Sequence, residues 1–388
     1  MRVLLVSNLY PHSKELMRAL YNQRLFNALS GLGHQVDVIA PLPWFPGKRG
    51  LPPQQEQIDG VRVSHPRYFY TPGFAIDHHW RFYAAAVRGW LRRRVAASTE
   101  AVHVILGFVY PDAVAMAPVC EALGVPYSVL VLGSDFRVRM RQPKFKPLVE
   151  ACLMKAPNVF CPGEALRRDM IAAGLQPGRV HAFNNGVDKH VFHYKAPVVE
   201  SLRQEILFVG NLVDVKAPDR LLRAFAQATS QLDASLGLTM VGVGPLRAKL
   251  MSLADELGIT DRVSWLGRQV PEKVAERMRS ALCLCLCSQS EGMPNVVVEA
   301  LACGCPVVAT SVGEVPHLVE SGVNGCVVDL YEREEFEVVA ALAIALQSVE
   351  KGVFDRPAIA TRMSGFTWEA AARVVSGVIE PTRQLPKR

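Results

Sequence analysis

Nowhere does the sequence gather the roughly 18 consecutive apolar residues that a membrane-spanning helix requires, although half of its 388 residues are apolar. Met1 runs straight into RVLLVSNLYP, with no charged start, apolar run and small-residue cleavage site, so the expectation is a soluble, unprocessed, cytoplasmic chain. Zinc-type C-x-x-C pairs are missing, and the nine cysteines are an odd number. Three of them, Cys283, Cys285 and Cys287, alternate, which on a strand puts them on one face. They read as small hydrophobes in reduced form, which points to the cytosol. A dinucleotide fingerprint is begun at residues 241–245 (VGVGP) but not completed, so a nicotinamide dehydrogenase is disfavoured. No Asp-rich metal cage is in view.

Charge of one sign is unevenly spread. Residues 1–200 hold 24 Lys and Arg against 14 Asp and Glu, and the remainder 19 against 22. A basic first half attracts phosphate groups or an anionic membrane surface, yet it also fits a merely soluble protein, and no nucleic-acid partner is expected.

The length exceeds one ordinary domain. Residues 2–8 form an apolar run of strand length, residues 16–32 carry helical spacing ended by Gly31 and Gly33, and residues 36–40 form a second apolar strand. This order is that of a parallel βαβ unit. Further strands are expected near residues 61, 102, 127, 158 and 180, and Asn184-Asn185-Gly186 reads as a turn with positive φ. A linker is placed near residues 193–203. A second alternation begins at residue 206 and continues through strands near 238, 263, 281, 306 and 326. The expected fold is α/β: two tandem Rossmann-like, doubly wound domains facing a central cleft, one spanning 1–195 and the other 200–366. Such sheets bind ligands beyond the carboxyl ends of their strands.

Residues 290–310 (SEGMPNVVVEALACGCPVVAT) are the most informative. A buried strand ends at Ser288, a polar loop carries Glu291 and Gly292, and a helix is expected to begin at Pro294, since proline suits the first turn. Glu299 lies about 7.5 Å further along that helix. Unpaired backbone N–H groups between Gly292 and Asn295, at Gly292, Met293 and Asn295 beside the donor-side Pro294, with the helix dipole, suit phosphate oxygens. A carboxylate on either side accepts hydrogen bonds from vicinal hydroxyls, one set on a hexose and one on a ribose, which fits a nucleotide sugar. The plainer alternative is a solvated loop glutamate and an exposed helix residue. In residues 208–219 (FVGNLVDVKAPD) a strand ends at Gly210, and Lys216 stands just before a helix. There it can neutralise a leaving diphosphate in place of magnesium, so neither metal nor further cofactor is expected. Gly244 and Arg268, after the next two strands, are assigned to the same donor side.

The tandem domains, VGNLVDVK, EGMPNVVVE and NNGVD together resemble glycosyltransferase family 4, retaining enzymes of the GT-B fold, over essentially the whole chain. The resemblance implies that Glu291 contacts the donor sugar and Glu299 the ribose. It also implies transfer of a hexose to a glycan or lipid-linked acceptor, in surface polysaccharide synthesis. Two positions depart from the family pattern. The arginine that usually follows the glycine matched by Gly210 is Asn211 here, which shifts the phosphate grip to Lys216. The histidine of the family's His-Gly-Ser-Asp loop is Leu132, so Ser134 and Asp135 stand in on the acceptor side with Tyr10, Asp135 counted as catalytic. A helix cap is the alternative for Asp135. The final helix, in residues 367–388, is expected to complete the first domain.

Residues 80–94 (WRFYAAAVRGWLRRR), with Arg67 upstream, mix aromatics with six arginines and suit an anionic bilayer, giving an expectation of peripheral contact at the inner face of the plasma membrane. An ordinary helix with snorkelling arginines is the alternative. A nucleotide-sugar epimerase and a catalytically silent sugar-nucleotide binding subunit remain as alternative functions.

Overall fold

The structure is a computed structural model and describes residues 1–16, 18–74, 76–196, 205–229, 231–331 and 333–380. It divides into two units, Met1–Gly186 joined by the chain from Trp368 onward, and Val187–Thr367.

The first unit contains β1 (Arg2–Val6), β2 (Gln35–Ile39), β3 (Leu42–Trp44), β4 (Gln55–Ile58), β5 (Val61–Ser64), β6 (Arg67–Phe69), β7 (Val102–Gly107), β8 (Tyr127–Leu130), β9 (Val159–Pro162) and β10 (Val180–Phe183). Eight of these form one sheet in the order β10-β9-β8-β7-β1-β2-β5-β4, and β3 pairs with β6 separately. Every neighbour in the large sheet is parallel except the β4–β5 pair. Alternate residues of β1 feed two cores: Leu4 and Val6 face one, Val3 and Leu5 the other. This two-sided burial is why such strands read as unbroken apolar runs. The helix Trp368–Ile379 covers the second of these cores through Trp368, Ala372 and Val375. It is also fixed by the 2.7 Å contact of His34 Nε2 with Ser376 Oγ.

The second unit is a six-stranded parallel sheet of β11 (Glu205–Val209), β12 (Gly237–Val241), β13 (Val263–Gly267), β14 (Cys283–Leu286), β15 (Val307–Thr310) and β16 (Gly325–Val328), in the order β13-β12-β11-β14-β15-β16. Cys283, Cys285 and Cys287 share one core with Ile206 and Phe208, while Leu284 and Leu286 point into the other. Burial pushes the Cys283 thiol well above its ordinary range, and hydrogen bonding with Cys287 together with burial does the same to Cys285, so both stay protonated and inert.

Several expectations are corrected. The passage between units falls at Val187 and not at residue 195, because Val187 and Phe192 are buried in a core of the second unit. Val187 N–H donates to the Phe366 carbonyl at 3.0 Å, and Arg279 donates to the carbonyls of His193 and Val191. Of the expected linker, residues 197–203 lie outside the described residues. The first helix is Leu20–Gly31, not 16–32: Ala19 before it is left-handed (φ 48°), and Leu16 is turned to solvent, 60% exposed. None of Asn184, Asn185 and Gly186 has a positive φ.

His103 of β7 is buried and meets Ser128 Oγ of β8 at 2.9 Å, and burial pushes its pKa down from 6.5 to about 4. Between those values the unfolded chain holds a proton that the folded chain does not, so stability falls as pH drops through this window and levels off below it. Unfolding midpoints measured against pH are expected to fall over that range. His103→Gln is expected to shrink the slope by up to about one proton; an unchanged slope would contradict the assignment.

Candidate functional site

The strand order of the second sheet places its site. From β11 the chain steps outward to β12 and β13, then returns to the opposite side of β11 as β14. The order therefore reverses between β11 and β14, and it is beyond the carboxyl ends of the strands at such a reversal that open α/β sheets bind ligands. Those loops carry Lys216 and Glu291.

The loop after β11 runs from Gly210 to Ala217. Asp214–Lys216 form a single 3-10 turn, and the helix Pro218–Ala228 follows. Ala217 is held left-handed (φ 42°), a conformation unfavourable by about 1–2 kcal/mol for a residue with a Cβ, and Pro218 disfavours the right-handed alternative. The turn survives because Lys216 N–H donates to the Val213 carbonyl and Ala217 N–H to that of Asp214, both at 3.0 Å. A strained residue directly beside Lys216 fits a loop shaped for a ligand.

Lys216 Nζ donates to Glu291 Oε1 at 2.6 Å. The same oxygen accepts from Ser288 Oγ at 2.7 Å, and the Ser288 carbonyl accepts from Thr310 Oγ1 at 2.7 Å. Gln289 N–H donates to the Val215 carbonyl at 2.9 Å, tying the two loops together. The Glu291 side chain is only 11% exposed and that of Lys216 26%. Each ion thus has lost much of its water and is stabilised by the other.

Helix Asn295–Ala302 starts one residue later than expected, with Pro294 as its extended cap residue. Met293 and Pro294 are buried, while Gly292, Asn295 and Glu299 are half-buried. Met293, Asn295 and Glu299 each make interactions of their own, and the helix start adds the positive end of its dipole.

Close backbone approach explains the glycines. A Cβ on Gly242 would lie 1.8 Å from the Gly210 carbonyl oxygen, and one on Gly244 would lie 2.3 Å from that of Leu212. The 241–245 loop is therefore pressed onto the Lys216 loop. On the other side, a Cβ on Gly313 would lie 2.2 Å from the Gly292 carbonyl oxygen, which also accepts from Glu314 N–H at 3.0 Å. Ser288, Thr310, Gly313 and Glu314 were not anticipated; the loop glycine directly after an apolar strand was the available signal for Gly313. Asn211 is exposed beside Gly210. Arg268, also exposed, follows β13, two strands and so about 10 Å of sheet from β11.

The first unit repeats the device. Its strand order reverses between β1 and β7, and a cavity of about 600 Å³ opens there, lined by Asn8 and Leu9 after β1, by Phe108, Tyr110 and Pro111 after β7, and by Asp135 and Arg139 after β8, among others. Asp135 lines the cavity but is 4% exposed. Its Oδ1 accepts the Leu132 and Gly133 N–H groups and its Oδ2 that of Val109, all at 3.0 Å. Burial raises its pKa while these donors oppose the rise. The carboxylate clamps the loops after β7 and β8 together, a positioning role that also fixes this part of the cavity wall. Ser134 opens the short helix Ser134–Arg137. Tyr10 is 1% exposed in the core with Leu5 and Phe26, and is corrected from an acceptor contact to a packing residue.

Two family descriptions match the chain: "Glycosyl transferase 4-like domain" over residues 19–186 and "Glycosyl transferases group 1" over residues 195–351. A D-inositol 3-phosphate glycosyltransferase of Mycobacterium marinum is 32% identical over 206 residues, covering 50% of this chain and 43% of that protein. The chain thus spans less than half the length of this relative. Among solved structures, sucrose-phosphate synthase of Thermosynechococcus elongatus aligns with TM-score 0.73 at 20% identity, over 97% of this chain and 98% of the other. Anabaena Alr3699/HepE, in complex with UDP-glucose, aligns with TM-score 0.62 at 16% identity, over 94% and 98%. With one family match on each unit and the same fold along nearly its entire length, the chain belongs to glycosyltransferase family 4, with the GT-B fold.

Proposed function

We propose that this protein is a retaining, metal-independent hexosyltransferase that takes a sugar from a nucleoside diphosphate sugar held on the second unit and passes it to a glycan or lipid-linked acceptor held on the first. The observation that carries this reading is the Lys216–Glu291 pair, 2.6 Å apart at the reversal point of the second sheet. A donor exchanges that single contact for two: its diphosphate takes the ammonium, and a sugar hydroxyl donates to the carboxylate. A UDP donor is favoured by the UDP-glucose complex of the structurally similar Anabaena protein.

In the transfer, the bond between the anomeric carbon and the diphosphate oxygen breaks while the acceptor oxygen bonds to the same face of that carbon. The acceptor's proton passes to the departing β-phosphate oxygen. Negative charge grows on the diphosphate as this happens, and the fixed ammonium of Lys216, with the dipole of helix Asn295–Ala302, stabilises it without a metal ion.

The place of action in this reading is the inner face of the plasma membrane, in surface polysaccharide synthesis. Its support is an exposed aromatic patch on the first unit. Trp44 and Phe69 are register partners on β3 and β6, Phe82 meets Phe69 edge to face with ring centroids 5.7 Å apart, and Phe74 is 74% exposed nearby in sequence. Arg81, Arg88, Arg92 and Arg93 are exposed on the helix His79–Ala96. Arg94 instead donates to Ser64 and Arg67 to the Pro52 carbonyl, so four of the six arginines remain to face anionic lipid.

Turnover of Glu291→Gln and Lys216→Ala is expected to fall by about 100- to 1,000-fold, the usual scale for a lost charge-stabilising group, with circular dichroism unchanged. Near-normal turnover in both would overturn the site. In a thermal-shift panel of UDP-, GDP- and ADP-sugars, one base is expected to raise the melting temperature of the wild type and to lose its effect in Lys216→Ala; equal shifts in both would contradict the phosphate role. With vesicles rich in anionic lipid, the protein is expected to float and the Arg88→Glu/Arg92→Glu variant to stay in the pellet. Wild type remaining in the pellet would refute membrane contact.

A further inference from the structure

The cavity at the reversal point of the first sheet has a composition of its own. Its volume, about 600 Å³, lies within the roughly 300–1,000 Å³ common for small-molecule sites. Six rings line it: Tyr68, Tyr70, His79, Phe108, Tyr110 and Phe145. They brace one another, with Tyr110 against Phe145 at 4.8 Å and Tyr70 against His79 at 4.4 Å between centroids. Arg139 is the one permanent cation among the lining residues. Its guanidinium lies 4.1 Å from the Phe145 ring centroid and 5.6 Å from that of Tyr110, and Nη1 donates to Gln142 Oε1 at 2.9 Å. Burial lowers the pKa of His79, which keeps its ring neutral near pH 7.

Two further features point to a ligand. The side-chain carbonyl of Asn8 is buried with no hydrogen-bond partner among the described residues, an orphaned acceptor of the kind that calls for an explanation. Phe108 holds φ at +68°, a genuine outlier for a bulky residue. It is kept there by its own N–H to the Leu130 carbonyl at 2.9 Å and, one residue on, by the clamp of Asp135 on Val109 N–H. Strain maintained by a buried carboxylate serves to fix a ring on the cavity wall.

From this chemistry we infer that the cavity binds the sugar ring of an uncharged saccharide acceptor, and not a polyol phosphate. The inference deepens the acceptor assignment made above and rests on that reading. Aromatic faces are electron-rich and pack against the C–H face of a pyranose, while Asn8, Gln142 and the remaining guanidinium N–H groups meet its hydroxyls. A phosphate monoester calls for clustered or bidentate cations, and the single guanidinium present is already stacked on two rings and bonded to an amide. The acceptor named in the Mycobacterium marinum relative, D-inositol 3-phosphate, is therefore not the one this cavity selects.

Saturation-transfer NMR on the full chain tests this with methyl glycosides of glucose, galactose, mannose and N-acetylglucosamine, and with myo-inositol monophosphate as the charged comparison. At least one glycoside is expected to receive saturation at its ring C–H protons. The signal is expected to persist in Glu291→Gln, which removes the donor-sugar contact, and to fall roughly fivefold in Tyr70→Leu and in Arg139→Ala, the scale of one lost aromatic contact. Melting curves check that both variants fold, and either variant alone suffices. Response to inositol monophosphate only, to no glycoside at all, or a signal lost in Glu291→Gln but kept in Tyr70→Leu, would overturn the inference. A nucleotide-sugar thermal shift on the same samples separates the two readings. Donor binding without glycoside binding defeats this inference alone, and glycoside binding without any nucleotide-sugar binding defeats the transferase reading alone.

Discussion

The ammonium of Lys216 and the carboxylate of Glu291, 2.6 Å apart and both largely withdrawn from water, come from loops 75 residues apart in sequence. They meet only because β14 returns to pair beside β11. Much of the second unit's loop geometry serves that meeting. Gln289 donates to the Val215 carbonyl, Ser288 adds a second donor to the same Glu291 oxygen, and Thr310 anchors Ser288 from β15. Gly242, Gly244 and Gly313 let neighbouring backbone press against the two loops where any Cβ would collide. A buried pair of this kind contributes little net stability once desolvation is counted. On the proposed reading its significance is that both charges stand ready, in fixed positions, for a ligand that carries the complementary groups.

Most strands were legible in the sequence because two-sided burial leaves an unmistakable apolar run, as in β1, β7 and β15, and because alternation on β14 separates cysteine from leucine. The three-residue β3 and β6 and the four-residue β4 were missed, for such short, partly exposed segments carry no usable period. Lys216 and Glu291 were found from glycine, proline and helix-start chemistry. Their direct pairing was not, since strand order, which decides who neighbours whom, is absent from local spacing. Tyr10 shows the opposite error. A polar-tipped residue just after the first strand looked like a ligand contact, but its ring fills the core between Leu5 and the helix Leu20–Gly31. The roles of Asp135 and Phe108 were likewise hidden, because both depend on the loops after β7 and β8 being brought together by tertiary packing.

The two units apply one architectural device to different chemistry. Each sheet reverses its strand order once near the centre and carries its distinctive residues on the loops over that reversal. In the second unit those residues are an ion pair and the start of a helix, suited to a diphosphate. In the first they are aromatic rings with one stacked guanidinium, suited to a neutral, ring-shaped molecule. In the proposed reaction a donor that leaves as an anion and an acceptor that arrives uncharged would use this division of labour, and the contrast lies in the side chains rather than in the fold.

A crystal structure of the protein soaked with UDP and solved with the nucleotide in place tests the central claim most directly. The diphosphate is expected within hydrogen-bonding distance of Lys216 Nζ, at the mouth of the helix Asn295–Ala302, with the Lys216–Glu291 contact opened. A nucleotide bound elsewhere, with that contact intact, would contradict the account.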